Sequence, residues 1–226
     1  MFLMSNTPST SDPARTRARS RATAKSRSIQ SRDTRDALIH CGTEICTERG
    51  FQITGIDEVL KRVGVPKGSF YYYFESKHQF GEAVIENYAQ YFQRKLDRIL
   101  GDASQPPLKR LRLFVEDAER GMAKFGFQRG CLVGNLGQEF GGLENSFRGQ
   151  LESVLLSWQA TTAACLRQAA AKGEIVCSES EADRLAAFFW IGWEGAILRA
   201  KLTRSAEPLK LFADLFFSLL GTKQNV

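Results

Sequence analysis

Val65-Pro-Lys-Gly-Ser-Phe-Tyr-Tyr-Tyr-Phe-Glu-Ser-Lys77 is the stretch on which the fold turns. Pro66 fixes the entry to a short helix, and Phe70 and Phe74, at i and i+4, share the face that can meet a core. Ser69, Tyr72 and Tyr73 are left toward solvent, and exposed consecutive tyrosines need a partner. Their hydroxyls can donate to phosphates while the rings pack on sugars, and Lys67 at the helix start can reach a guanine edge. The plainer reading, aromatic glue for a small three-helix core, holds for Phe70 and Phe74.

Upstream, Leu38, Cys41 and Ile45 form one stripe of a helix that runs from Asp33 and stops at Gly50. Thr54-Gly-Ile-Asp57 has the form of a capping box, and Ile56, Val59, Leu60 and Val63 make the apolar face of a second short helix. Gly64 offers a left-handed turn before Pro66. Helix, turn and short helix within about 22 residues have the size of a helix-turn-helix. Residues 31–75 hold Arg32, Arg35, Arg49, Lys61, Arg62 and Lys67 against Asp33, Asp36, Glu44, Glu48, Asp57, Glu58 and Glu75, so this module is not basic. The charge lies in residues 1–30, where Arg15, Arg17, Arg19, Arg21, Lys25 and Arg27 face Asp12 alone; five of the six net positive charges sit there. Such a Ser/Thr/Arg-rich segment without apolar periodicity reads as a disordered basic arm, either a phosphate-seeking extension or a solvated tail.

Residues Phe51 to Phe80, and above all Val65 to Lys77, resemble the N-terminal DNA-binding domain of the TetR family of one-component transcriptional repressors. The resemblance implies that Thr54 touches phosphate, that Lys67, Gly68 and Ser69 approach base edges, that Tyr71, Tyr72 and Tyr73 touch backbone or bases, and that Lys77 anchors phosphate. It also implies a homodimer on a palindromic operator of double-stranded DNA and a small-molecule inducer.

The remainder reads as helices throughout. Phe80, Val84, Tyr88, Phe92 and Leu96 mark a long helix leading out of the DNA-binding module; Pro106-Pro107 opens the next. Phe147, Leu151, Val154, Trp158, Cys165 and Ala169 make another, ended by Gly173, and Ser178-Glu-Ser-Glu181 caps the run Leu185, Phe189, Trp193, Ala196, Ala200. In the last helix Leu209, Phe212, Phe216 and Leu219 form a stripe with little of a monomer left to cover it. The last two helices therefore read as a two-fold four-helix interface, with packing inside one chain as the alternative. The expected fold is all-α: a basic arm (1–30), a three-helix helix-turn-helix domain (31–78) and a helical ligand-binding and dimerisation domain (79–226).

Six glycines among residues 125–142 are too many for a stable ordinary helix, and a short irregular helix there would line the mouth of a pocket. Trp190, Trp193, Glu194 and Lys201 offer aromatic walls with a few charges, the setting for a small polar or anionic ligand; core packing is the bland reading of the tryptophans. Arg129-Gly-Cys131-Leu and Ala200 to Pro208 resemble a narrower branch of the same family that responds to electrophiles or acrylate. That resemblance implies Cys131 with Lys201 as a sensor pair, the ammonium lowering the thiol pKa, against the alternative of an inert core cysteine. The candidate effector residues are Cys131, Asn135, Trp158, Trp190, Trp193, Glu194 and Lys201.

Other classes have less support. An enzyme with Cys131 as nucleophile would have only His40 and His78 for acid–base work, with no phosphate loop and no Gly-x-Ser-x-Gly. A nonspecific DNA-organising protein driven by the arm would bind with steep salt dependence and almost no sequence preference. No cofactor or metal is expected, and five cysteines without a C-x-x-C pair read as reduced thiols. The longest apolar run, Leu185 to Trp193, is far short of the ~20 residues of a spanning helix. Met1 to Thr10 does not read as a secretory signal, which makes the cytoplasm, and the nucleoid when operator-bound, the expected address.

Overall fold

Gly64 adopts a left-handed φ of 75° and returns its N–H to the Leu60 carbonyl, which ends α2 (Ile56–Val63) and turns the chain into α3 (Lys67–Tyr73). A helix over residues 32–49, α1, precedes them and stops at Gly50, whose N–H bonds the Cys46 carbonyl. Phe70 and Phe74 are fully buried, in ring contact with each other and with Phe80. The computed structural model describes residues 32–142 and 146–221, so the expected basic arm at 1–30 lies outside the described residues.

The capping box at Thr54 does not form. Gly55 is the N-cap of α2 and no side chain caps it, while Thr54, 2% exposed, donates its hydroxyl to the Gly50 carbonyl at 2.6 Å. The hydroxyl thus serves a carbonyl left open at the end of α1 instead of the first turn of α2.

Ser76 caps α4 (Lys77–Leu100) by accepting from the Gln79 N–H, and α4 carries the chain without a break from the three-helix module into the larger body. Pro107 is the first residue of α5 (Pro107–Lys124), as its missing N–H favours. Then come α6 (Leu132–Phe140), α7 (Ser146–Ala171), α8 (Glu179–Thr203) and α9 (Glu207–Gly221). Ser178 and Glu181 do make a capping box at α8. Among the described residues every regular element is a helix, and none is long and apolar enough to cross a membrane.

Two expectations about the body need correction. First, the glycine-rich segment holds a regular nine-residue α-helix, α6. Its glycines weaken intrinsic helicity, and tertiary bonds from Asn135 and Glu139 to the three-helix module supply the stability they withhold. Second, three of the four residues of the α9 stripe expected to be uncovered are packed within the chain: Leu209 and Phe216 are buried, and Phe212 and Phe216 meet Phe189 of α8, while Leu219 is 40% exposed. The outward face carries a different set: Phe188, Ile191, Leu198 and Leu202 of α8, at helical spacing, with Leu211 and Leu215 of α9, each between 48% and 73% exposed. These helices are apolar on two faces, and the sequence stripe singled out the inner one.

Candidate functional site

The outward side of α3 is unusual for a surface. Tyr72 is 75% and Tyr71 60% exposed, Lys67 and Gly68 are exposed beside them, and Ser69 and Tyr73 are half-buried. Tyr73 meets Tyr72 edge-on at 4.9 Å and so steadies it. Lys67 forms an ion pair with Asp57 of α2 at 3.1 Å, an exposed pairing that holds it weakly. Lys77 donates to the Gln52 carbonyl at 3.0 Å and lies 4.9 Å over the Phe51 ring, while the Thr54 hydroxyl is turned inward. The exposed rings and Lys67 thus share one face, whereas Thr54 and Lys77 are engaged with the protein. Ile53, 68% exposed ahead of α2, was not singled out in the sequence, since a lone isoleucine in a loop carries no pattern.

A cavity of about 360 Å³ lies where the three-helix module meets the body. His40, Thr43, Glu44 and Thr47 of α1 form one side; Tyr88, Phe92 and Lys95 come from α4, Met122 from α5, and Trp193, Glu194 and Ile197 from α8, with Cys131 at the start of α6. Its volume suits a small molecule. A second cavity of about 260 Å³ behind it is lined by Asn135 and Lys201 and shares Cys131, Glu194 and Ile197 with the first. Trp158 and Trp190 do not line either: they pack on each other and on Phe92, with the Trp190 indole donating to Thr162 at 3.0 Å. They brace the cavity wall from the core.

Arg129 and Lys95, at the cavity, are already paired. Arg129 bonds Glu48 at 3.0 Å and Glu44 at 3.1 Å, and Lys95 pairs with Asp117. Glu194 is different, because its Oε1 is sealed from solvent and has no hydrogen-bond partner. Burial pushes its carboxyl up to about 7, against a contact with the Cys131 thiol that lowers it. Cys131 departs from the sensor-pair expectation: burial, and then the neighbouring Glu194, push its thiol well above the ordinary range. Lys201 donates to the Thr47 carbonyl at 3.4 Å, and its own pKa is lowered, by burial first and then by Arg204. The groups that act on the Cys131 sulfur are Glu194, the Gly134 N–H and the Tyr88 hydroxyl, 3.8 Å away.

The glycine-rich segment also forms the joint to the three-helix module. The Asn135 amide donates to the Cys46 and Thr47 carbonyls, and the Gly130 N–H and Lys201 donate to Thr47 as well, so the last turn of α1, whose end carbonyls lack helical donors, is met from α6 and α8. At the other end of α6, the Glu139 carboxylate accepts from the Phe51 and Gln52 N–H groups at 2.8 to 3.0 Å. Phe51, Phe140 and Phe147 close the joint with ring contacts. Glu139→Ala is expected to cost about 1.5–3 kcal/mol of stability, the worth of hydrogen bonds to a charged group, and to speed amide exchange at Phe51 and Gln52. Unchanged exchange at both amides would mean that the joint is held by the rings alone. Tyr88, Glu139 and the α1 side of the cavity were missed in the sequence because each matters through a partner distant in the chain.

Two family descriptions match the chain: bacterial regulatory proteins of the tetR family over residues 38–84, and the tetracyclin repressor-like C-terminal domain over residues 107–216. The chain is 54% identical to the transcriptional regulator AcuR of Cereibacter sphaeroides over 180 residues, 80% of this chain and 82% of that protein. It is 35% identical to the HTH-type transcriptional repressor NemR of Escherichia coli K12, over 79% of this chain and 89% of that one. The crystal structure of regulatory protein TetR from Rhodobacter sphaeroides superposes with a TM-score of 0.76 at 53% identity, covering 80% of this chain and 95% of that one.

Proposed function

The chain belongs to the TetR family of helix-turn-helix transcriptional regulators, and from that premise we propose that it is a homodimeric repressor released from a palindromic operator by a small electrophile or unsaturated acid such as acrylate. Residues 31–78 bind DNA, with Lys67, Gly68, Ser69, Tyr71, Tyr72 and Tyr73 of α3 entering the major groove and the basic arm adding phosphate contacts. Residues 79–226 bind the effector and dimerise through the outward faces of α8 and α9. It acts in the cytoplasm, on the nucleoid when bound to its operator.

The observation that carries this reading is the position of the cavity. Its walls include α1 of the DNA-binding module, and the helix that follows Cys131 is bonded to the last turn of α1 and to the two residues after Gly50. A ligand that moves α6 therefore moves the frame of α3, and differential affinity for the two arrangements converts occupancy into release. The two α3 helices of a dimer must match half-sites about one DNA turn apart, so a small change in their spacing suffices.

A competition titration tests the DNA half of the proposal. Operator DNA from beside the protein's own gene should be retained against a large excess of random duplex at fixed salt. Equal loss to both, with a steep salt slope, would instead indicate nonspecific binding driven by the arm.

A further inference from the structure

We propose that Glu194 is the proton acceptor that arms Cys131 for addition to a conjugated double bond, so that the sensing pair of the cavity is cysteine and glutamate. The inference rests on the electrophile reading above and supplies the step that reading lacks. A thiol enclosed among apolar side chains and facing a carboxyl is a poor nucleophile on its own. Lys201 is not placed to help, since its ammonium is held at the Thr47 carbonyl.

What the structure puts beside the thiol is a base and a cradle. Cys131 is the N-cap residue of α6, where no side chain caps the first turn, and the Gly134 backbone in that turn favours the charged form of its sulfur. A helix N-terminus and a free N–H stabilise negative charge as it develops there. The Tyr88 hydroxyl approaches the same sulfur from α4. The Glu194 carboxyl lies against Gly134, where a β-carbon would sit 2.1 Å from Oε2, so residue 134 has room for no side chain while Glu194 is in place. The other oxygen, Oε1, is sealed from solvent and has no hydrogen-bond partner, so the carboxyl that contacts the Cys131 thiol keeps one acceptor unused. Both side chains line the 360 Å³ cavity, so a small alkene admitted there meets them together.

The step balances within these groups and the ligand. The thiol proton passes from Sγ to the Glu194 carboxylate as sulfur bonds the β-carbon of the alkene, whose π electrons move toward the carbonyl. The proton then returns from Glu194 to the α-carbon. The product is a thioether, with S–H added across C=C and no oxidant or reductant required. A carboxyl pushed up to about 7 is well matched to this work near neutral pH, where a stronger acid would hold the proton too weakly and a weaker one would be protonated already.

The test follows alkylation of the full-length protein by N-ethylmaleimide, a probe without an ionisable acid, with adducts located by peptide mass mapping because Cys177 is partly exposed. In the wild type the Cys131 rate should rise with pH and level off just above 7. In Glu194→Gln it should fall about 100-fold at neutral pH, the usual worth of a positioned base, and keep climbing through the alkaline range. Glu194→Asp should restore part of the rate and the plateau. The other groups facing the pair are His40 and Glu44 from α1, Tyr88 and Lys95 from α4, Arg129 ahead of α6 and Lys201 from α8. His40→Asn, whatever it does to the rate as a cavity residue, should not move the pH at which the rate levels off. A wild-type rate that climbs into the alkaline range without a plateau overturns the proposal even if Glu194→Gln fails to fold, as does equal alkylation of wild type and Glu194→Gln. If acrylate releases the operator but Cys131 takes no adduct at any pH, the proton-acceptor role is wrong while the repressor reading stands.

Discussion

Replacing Tyr72 with alanine is expected to raise the operator dissociation constant roughly 30- to 150-fold while leaving the melting temperature nearly unchanged. Tyr72 is 75% exposed, and its neighbours on the buried side of α3, Phe70 and Phe74, already fill the core of the module, so truncation opens no cavity. What the proposed complex would lose is a hydroxyl donor and a ring surface on the DNA side of α3. A net hydrogen bond is worth about 1–1.5 kcal/mol, and the two-fold axis doubles the loss to about 2–3 kcal/mol, which is the stated range in Kd. Tyr72→Phe keeps the ring and should recover part of the loss. Phe70→Ala should do the opposite, costing about 3–5 kcal/mol of stability through a core cavity. Tyr72→Ala binding operator as tightly as the wild type would show that the exposed face of α3 is not the reading surface.

Leu215→Glu should convert the dimer to a monomer and, with it, abolish operator binding at concentrations where the wild type is saturated. Leu215 is 63% exposed, so a glutamate there is solvated in the isolated chain and the helices still fold. Beside it lie Leu211 on the same helix and the outward row of α8, an apolar surface of the kind that marks an association site. Closing two copies over it would bury two unpaired carboxylates, at about 3–5 kcal/mol each, enough to shift a dimer constant by four orders of magnitude or more. Sedimentation velocity reads the outcome directly. A Leu215→Glu protein that sediments as the wild type does would place the dimer contact elsewhere.

The fold was legible wherever a local signal decided it. Gly50, Gly64, Pro107 and the Ser178–Glu181 box stop or start helices as their chemistry dictates, and Phe70 and Phe74 point inward as their spacing requires. Where two local solutions competed, tertiary contacts chose. Thr54 could cap α2 or serve the end of α1 and does the second, and α6 persists despite its glycines because Asn135 ties it to α1 and Glu139 to the residues that follow α1. In α8 and α9 the apolar residues fall on two faces, so a single stripe could not say which face turns outward. The cavity was legible as a set of residue types and not as a geometry. Cys131, Trp193 and Glu194 do line it, whereas Trp158 and Trp190 sit behind it and Lys201 is turned to α1. The charged neighbour of the thiol, Glu194, comes from another helix, and no spacing in the chain encodes that contact.

Effector release through Cys131 is read most directly by fluorescence anisotropy of the protein on DNA from beside its own gene, with and without acrylate or N-ethylmaleimide, for wild type and Cys131→Ser. The expected result is tight binding by both proteins and loss of the wild-type signal on adding compound, with the serine variant remaining bound. Operator binding that ignores both compounds, or release of Cys131→Ser at the same concentrations as the wild type, would contradict it.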